Sequence, residues 1–223
     1  DAEVAVARIA EALDGGETIF VHGDYDVDGV AATAILTRWL RHLGGKVVPF
    51  VPHRTRHGYD LGPAGVAAAR EAGATLLLTC DSGIVAHEAV AEARAAGMDV
   101  IVTDHHTPGA TLPPALAVVN PLRGGPDDPQ AVLCGAGIAW RLCQLLQARR
   151  GGDPELLSRL LALVALATVA DLVPLRGENR VLTAFGMRHV EHTTLPGLRA
   201  LKESAGVTGA VGDRELGYVL GPR

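Results

Sequence analysis

The chain has 223 residues, 48% apolar and only 4% aromatic, and its 20 Lys plus Arg against 25 Asp plus Glu give a formal net charge of −5. Length and apolar content suffice for one large core, while the negative charge excludes a basic module that coats nucleic acid by charge alone. The longest apolar run, Leu160 to Ala170, is far short of the roughly 20 residues of a membrane span, so no membrane is expected as a partner.

Three cysteines without metal-ligand spacing, Cys80, Cys134 and Cys143, read as reduced thiols of a cytoplasmic protein. The chain starts at Asp1 without methionine or signal peptide and stops at Gly221-Pro-Arg223, which reads as a cut end.

In chain order, an amphipathic pattern at 3–13 predicts a helix stopped by Asp14-Gly15-Gly16. Thr18-Ile-Phe-Val21 predicts a short buried strand. His22-Gly-Asp24-Tyr-Asp26-Val-Asp28-Gly29 follows, and Val30 to Leu43 carries apolar residues at helical spacing. Lys46 to Val51 reads as a second strand running into Pro52-His-Arg54-Thr-Arg56-His-Gly-Tyr59, a basic loop with one aromatic. A helix from about Pro63 to Ala72 leads to a third strand, Thr75 to Thr79, followed by Cys80-Asp81-Ser82-Gly83. A helix over 86–96 precedes the fourth strand, Asp99 to Thr103, which ends in Asp104-His105-His106. A Pro-rich connection leads to a short strand, Leu116 to Val119. This alternation predicts a three-layer α/β fold, a mostly parallel five-stranded sheet with helices on both faces. After Asn120-Pro121, Gly124-Gly-Pro-Asp-Asp-Pro129 reads as a loop, and helices are expected at 133–149, 154–172, 178–192 and 195–204. They form a helical segment beside the sheet.

The acidic turn after the first strand lies where open α/β sheets bind ligands. Asp24, Asp26 and Asp28 fall within five residues and repel one another unless a cation sits among them. Carboxylates suit hard divalent ions, and the imidazole of His22 favours Mn²⁺ or Zn²⁺ over Ca²⁺. The plain alternative is an acidic turn or a calcium-loop fragment, although no glutamate closes a twelve-residue loop. Asp81 and Asp104/His105 lie at the C-terminal ends of strands three and four. Converging them makes strands one, three and four neighbours, with strand two outside strand one. Any one of these aspartates alone reads equally well as a helix cap, Asp81 before Ser82-Gly83 above all. Asp171 ends the apolar run before Pro174, where the helix dipole disfavours an anion, so it needs a cation or open solvent. Cys80 should point opposite to Asp81, into the core. Cys134-Gly135-Ala136-Gly137 opens a helix whose free N–H groups could hold a phosphate, or its glycines allow close packing. Arg54, Arg56 and Tyr59 could contact phosphate and stack on a base, or form a solvated basic loop.

Asp24-Tyr-Asp-Val-Asp-Gly29, Cys80-Asp-Ser-Gly-Ile84, Asp104-His-His106 and Thr168-Val-Ala-Asp171 resemble, in order, the four motifs of the DHH phosphoesterase superfamily. Within it the chain is similar to the RecJ-like family of 5′→3′ single-strand-specific DNA exonucleases. Arg54 with Gly58-Tyr59, Val119-Asn-Pro121, Leu133-Cys-Gly-Ala-Gly137 and Val173-Pro-Leu-Arg-Gly-Glu-Asn-Arg180 carry that likeness, which covers nearly the whole chain. Ser82 stands where the family often has asparagine, and Asp60 where glycine is common.

The resemblance implies two divalent ions, Mn²⁺ first and Mg²⁺ as a substitute. His22, Asp26 and Asp81 would hold one; Asp28, Asp81, His105 and Asp171 the other. His106, beside a ligand but free, would contact the phosphate or protonate the leaving oxygen. Asp104 would orient a histidine, and Asp24 would support the cluster from behind or add a ligand. Residues 1–175 would form the catalytic core, and 176–223 a helical segment leading to a C-terminal domain beyond the chain. The implied partners are single-stranded DNA and a helicase or single-strand-binding protein. The rivals are pyrophosphate, nano-RNA or cyclic-dinucleotide hydrolysis by the same superfamily, and a replication scaffold that keeps the fold without its metals. The basic aromatic loop and Gly177-Glu-Asn-Arg180 favour the exonuclease, and the full ligand set disfavours the scaffold.

Overall fold

Short runs of Val, Ile and Leu form five strands: β1 (Thr18–His22), β2 (Lys46–Phe50), β3 (Leu76–Cys80), β4 (Asp99–Thr103) and β5 (Ala117–Val119). The computed structural model describes residues 1–125 and 127–223; Pro126, in the loop expected at 124–129, lies outside the described residues. The strands are parallel in the order β2-β1-β3-β4-β5, so β1, β3 and β4 are neighbours and β2 lies outside β1, as the strand-end residues imply. Register aligns the C-terminal ends: His22 lies beside Thr79, Cys80 beside Thr103, and Thr103 beside Val119. Pairing runs one residue further, with the Asp81 amide donating to the Thr103 carbonyl (3.0 Å) and the Asp104 amide to that of Val119 (3.1 Å).

Side chains alternate between the two faces of a strand, and both faces are covered, as in parallel sheets generally. Ile19, Val21, Leu76, Leu78, Cys80 and Ile101 pack with α1 (Ala2–Asp14), α2 (Val27–His42) and α5 (Gly135–Arg150). Phe20, Leu77, Val100 and Val102 pack with α3 (Pro63–Glu71) and α4 (His87–Ala95). Cys80 accordingly sits in the core, its sulfur 3.4 Å from Thr33 Oγ1.

The helical segment joins the first of these cores through α6 (Pro154–Arg159), α7 (Leu161–Ala170), α8 (Gly177–Glu191) and α9 (Pro196–Ser204). α7 is mostly buried, as a helix apolar on every side must be. Two details differ from expectation. The helix expected over 154–172 is two helices, because Leu160 adopts ψ −17° and its carbonyl accepts from Leu163 N in a tight turn. A π-helical turn at Glu215–Leu220 was not expected, and its Leu216 and Leu220 are buried.

α8 approaches α7 closely at Gly186, where an added Cβ would lie 2.2 Å from the Leu161 carbonyl oxygen and 2.5 Å from Ala165 Cβ. Gly186→Ala should therefore cost about 1–3 kcal/mol through overpacking. At Gly197 an added carbon meets nothing within 4 Å, so Gly197→Ala should change stability by less than about 0.5 kcal/mol. Equal melting temperatures for the two variants would contradict this account of the α7–α8 contact.

Candidate metal centre

The acidic turn is shorter than its sequence suggests. Asp26 caps α2, its carboxylate accepting from Gly29 N at 2.9 Å. The helix therefore starts at Val27 rather than Val30, and Asp28 projects from its first turn. Asp28 is buried, and each of its oxygens accepts one amide from the start of α5: Oδ2 from Gly135 (2.6 Å) and Oδ1 from Ala136 (2.7 Å). The positive end of a helix suits an anion. The amides expected to bind a phosphate through Gly135 and Gly137 thus hold a protein carboxylate instead, at Gly135 and Ala136. Gly135 also makes room for Asp81, because a Cβ there would lie 2.5 Å from Asp81 Cβ. Gly137 lies against Leu133, with 3.2 Å available to a Cβ. Close packing is the use the structure makes of both glycines. Burial still pushes the Asp28 carboxyl above its usual range.

Asp81 caps no helix, since α4 begins at His87. Its φ of 60° is the left-handed conformation that costs a non-glycine residue of order 1–3 kcal/mol. Asp60 braces the following turn, its Oδ1 accepting from Gly83 N (2.6 Å) and Leu61 N (2.8 Å). Asp60 is itself left-handed, φ 69°. Burial, then the charges of Asp28 and Asp26, push Asp81 up to about 11. His105 Nε2 lies 3.1 Å from Asp81 Oδ1, 3.6 Å from Asp171 Oδ2 and 3.7 Å from Asp28 Oδ2. Burial pushes His105 down. Asp171, the last residue of α7's final turn, is pushed up to about 7 by burial and by Asp28 and Asp26.

Among the described residues, three groups bring ligand atoms within 4.8 Å of one another: Asp24 with Asp26 and Asp81; Asp28 with His105 and Asp171; Asp81 with His105 and His106. Asp24 thus brings an oxygen into the cluster, and burial raises its carboxyl to about 6. His22 belongs to none of the groups. It is buried, stacks on Phe50 at 5.3 Å, and is pushed down to about 4 by burial. Four buried atoms at this edge have no hydrogen-bond partner: His22 Nδ1, Asp24 Oδ1, Asp81 Oδ1 and His105 Nε2. Buried polar atoms are otherwise almost always paired. Orphaned carboxylate oxygens and imidazole nitrogens at one edge fit divalent cations by their donor chemistry.

Asp104 holds the neighbouring histidine. Its Oδ1 accepts from His106 Nδ1 (2.8 Å) and from the amides of His105 (2.7 Å) and His106 (3.0 Å), and its Oδ2 from Ile84 N (3.0 Å). Burial opposes its charge, but these bonds, led by that from His106, hold Asp104 below the usual carboxylate range. The same bond raises His106 against the effect of burial. His106 Nε2 faces the Tyr59 hydroxyl at 3.3 Å, and Asn120 Nδ2 donates to the His106 carbonyl (2.8 Å). Tyr59 is half exposed and meets Tyr25 edge-on at 6.3 Å, and the Arg54 guanidinium lies 4.5 Å from the centre of the Tyr25 ring. Arg56 is exposed and takes no part in this stack. Tyr25, Asp60 and Asn120 were not singled out from sequence. Asn120 lies within Val119-Asn-Pro121, and Asp60 announced itself only as a departure from glycine.

Residues 18–168 match the family model described as DHH family, N-terminal domain. The chain is 41% identical to the single-stranded-DNA-specific exonuclease RecJ of Dickeya dadantii over 231 residues, covering 98% of this chain and 40% of that protein. It is 42% identical to RecJ of Thermus thermophilus over 219 residues, covering 98% of this chain and 32% of that protein. The chain thus spans less than half the length of these curated relatives. A crystal structure of exonuclease RecJ bound to manganese superposes with a TM-score of 0.88 at 42% identity, covering 99% of this chain and 55% of that one. RecJ from Thermus thermophilus in complex with Mg²⁺ superposes at 0.70 with 34% identity, covering 99% and 28%.

The raised carboxyls set a pH dependence. Asp81 and Asp171 keep protons in the folded chain that the unfolded chain has released, so above about pH 6.5 the unfolded state binds fewer protons and stability falls as pH rises. The lowered histidines, His22 and His105, act in the opposite sense, but only below their ordinary pKa of about 6.5. The melting temperature of the metal-free chain should therefore fall between about pH 6.5 and 8.5. Millimolar Mn²⁺ or Mg²⁺ should raise it and flatten the slope. A level profile without metal, or no response to either ion, would count against a cluster of unneutralised carboxylates.

Proposed function

The chain belongs to the DHH family, and from that premise we propose that it is the catalytic core of an exonuclease hydrolysing single-stranded DNA from its 5′ end with two divalent ions. One observation carries the reading: Asp24, Asp26, Asp28, Asp81, His105 and Asp171 bring ligand atoms together at the sheet's C-terminal edge, where buried nitrogen and oxygen atoms stand unpartnered. Asp24, Asp26 and Asp81 would hold one ion, with His22 Nδ1 behind them; Asp28, His105 and Asp171 would hold the other, with Asp81 between. Mn²⁺ is assigned first and Mg²⁺ second. Two such ions would lower the pKa of a bound water and offset negative charge on the phosphate oxygens during an in-line displacement.

The chain's own groups do the rest. The α5 amides aim Asp28 and favour its charged form against its burial. Asp104 holds His106 by Nδ1 and leaves Nε2, beside the Tyr59 hydroxyl, as the nitrogen from which an imidazolium can donate to a phosphate oxygen or to the leaving oxygen. Tyr59, Tyr25 and Arg54 offer an aromatic face for a base, such stacking being worth about 1–3 kcal/mol per base, with a cation for a phosphate.

Single-stranded DNA is the partner this reading requires, presented by a helicase or a single-strand-binding protein in the cytoplasm. No described helix is long and apolar enough to cross a membrane. A catalytic core at 1–175 and a helical segment at 176–223 leading toward a further domain form part of the same proposal.

Incubation with end-labelled single- and double-stranded DNA and Mn²⁺ tests it: single strands should shorten from the 5′ end while duplex is spared. Asp81→Ala should abolish the activity, because one substitution removes a ligand from both ions. His106→Ala should keep the metal content but lose roughly 10²–10⁴ in turnover. Metal loss in His106→Ala, or only a few-fold loss in Asp81→Ala, would sink these assignments, and equal cutting of duplex would sink the single-strand specificity.

A further inference from the structure

The run Gly177-Glu-Asn-Arg180 takes no part in the centre described above, yet its Asn179 is fully buried in the first turn of α8. Its Nδ2 donates to two backbone carbonyls, those of Val132 and of Pro174 (the latter at 3.1 Å), and its Oδ1 is buried without a partner. Two acceptors fix the way the amide faces. Val132 lies three residues before Gly135, whose amide, with that of Ala136, clamps Asp28. Pro174 lies three residues after Asp171. One side chain therefore ties the segment entering α5 to the segment leaving α7, and each of those helix ends fixes one carboxylate of the group Asp28, His105 and Asp171.

The 172–176 segment has few other anchors. Leu172 is 87% exposed with a left-handed φ of 59°, and Leu175 is 46% exposed. Val173, partly buried against the core, the Asn179 amide and a bond from Leu172 N to the Val169 carbonyl (3.3 Å) hold it. The Glu178–Arg141 ion pair (3.0 Å) links α8 to α5 nearer the surface, and such pairs contribute little.

We propose that Asn179 is a positioning residue for the ion held by Asp28, His105 and Asp171, setting the spacing between the α5 clamp on Asp28 and the α7 end that carries Asp171. This inference rests on the two-ion reading above. Groups that orient metal ligands change metal affinity by roughly 10–100-fold when removed. Asn179 acts one step further out, through the backbone, and selectively on one of the two ions.

Mn²⁺ titration of the protein, followed by calorimetry and electron spin resonance, tests it. The unaltered protein should take up two ions. Asn179→Asp keeps the volume but loses the donors, and should weaken the second ion by roughly 10–100-fold while the first binds as before. Asn179→Ser keeps one donor and should weaken it less. Val190→Ala, a cavity variant at a buried position near the other end of α8, loosens the helix without touching either segment and should leave both ions in place. An unaltered protein that takes up no Mn²⁺ would overturn the two-ion reading and this inference with it. Two ions in the unaltered protein and unchanged affinities in Asn179→Asp would overturn the Asn179 assignment alone, as would an equal loss in Val190→Ala. Should Asn179→Asp not fold, unchanged affinity in Asn179→Ser overturns it.

Discussion

Repulsion among carboxylates brought together at the end of a parallel sheet is the constraint the rest of this structure answers. Asp24, Asp26, Asp28, Asp81 and Asp171 share one edge with little water around most of them, and the proton affinity of Asp81 rises to about 11 as a result. The protein answers with local compensation at each margin. Two amides at the start of α5 face Asp28, and two amides and an imidazole face one oxygen of Asp104. Towards the middle, Asp24 Oδ1, Asp81 Oδ1 and His105 Nε2 have no hydrogen-bond partner among the described residues. What is missing there is positive charge, and the donors present are those that hard divalent ions prefer.

Strand register and helix packing together make that arrangement rigid. The ladder extends one residue past β3 and β4, so Asp81 and Asp104 leave the sheet side by side. Asp81 then turns through a left-handed backbone into space that Gly135 leaves open. The cluster built this way draws its side chains from the turn between β1 and α2, from the first turn of α2, from the ends of β3 and β4 and from the end of α7. A shift in the α5 or α7 contacts moves carboxylates that lie far from it in sequence.

Much of this was legible in the residues. Carboxylates placed directly after apolar runs imply that β1, β3 and β4 are neighbours, because only adjacent strands can bring such residues together. Leu160 to Ala170 declared a buried helix by having no polar face, and Asp171 stood out as an anion at the wrong end of it. Other features were illegible for physical reasons. A helix N-terminus is the same donor set for a phosphate and for a protein carboxylate, so Cys134-Gly-Ala-Gly137 could not reveal that Asp28 fills it. The break at Leu160 carries neither glycine nor proline. Which of His22 and Asp24 reaches furthest into the cluster depends on side-chain direction within one turn, which spacing alone does not fix. Asn179 looks in sequence like any polar residue in a first helical turn, and its meaning lies in two carbonyls from distant segments.

The Asp28 clamp also bears on the order in which the molecule comes into being. Asp28 and Gly135 are 107 residues apart, and Asp171 follows later still. A chain made from its N-terminus presents its acidic turn to water long before the amides that receive Asp28 exist. Until then the three aspartates of that turn are an open, hydrated segment with no enclosing wall. Their desolvation waits for α5 and α7 to dock, when the sheet already has all its strands, and domains generally fold as such units during synthesis. The assembled cluster thus requires segments from both ends of the chain to be in place at once.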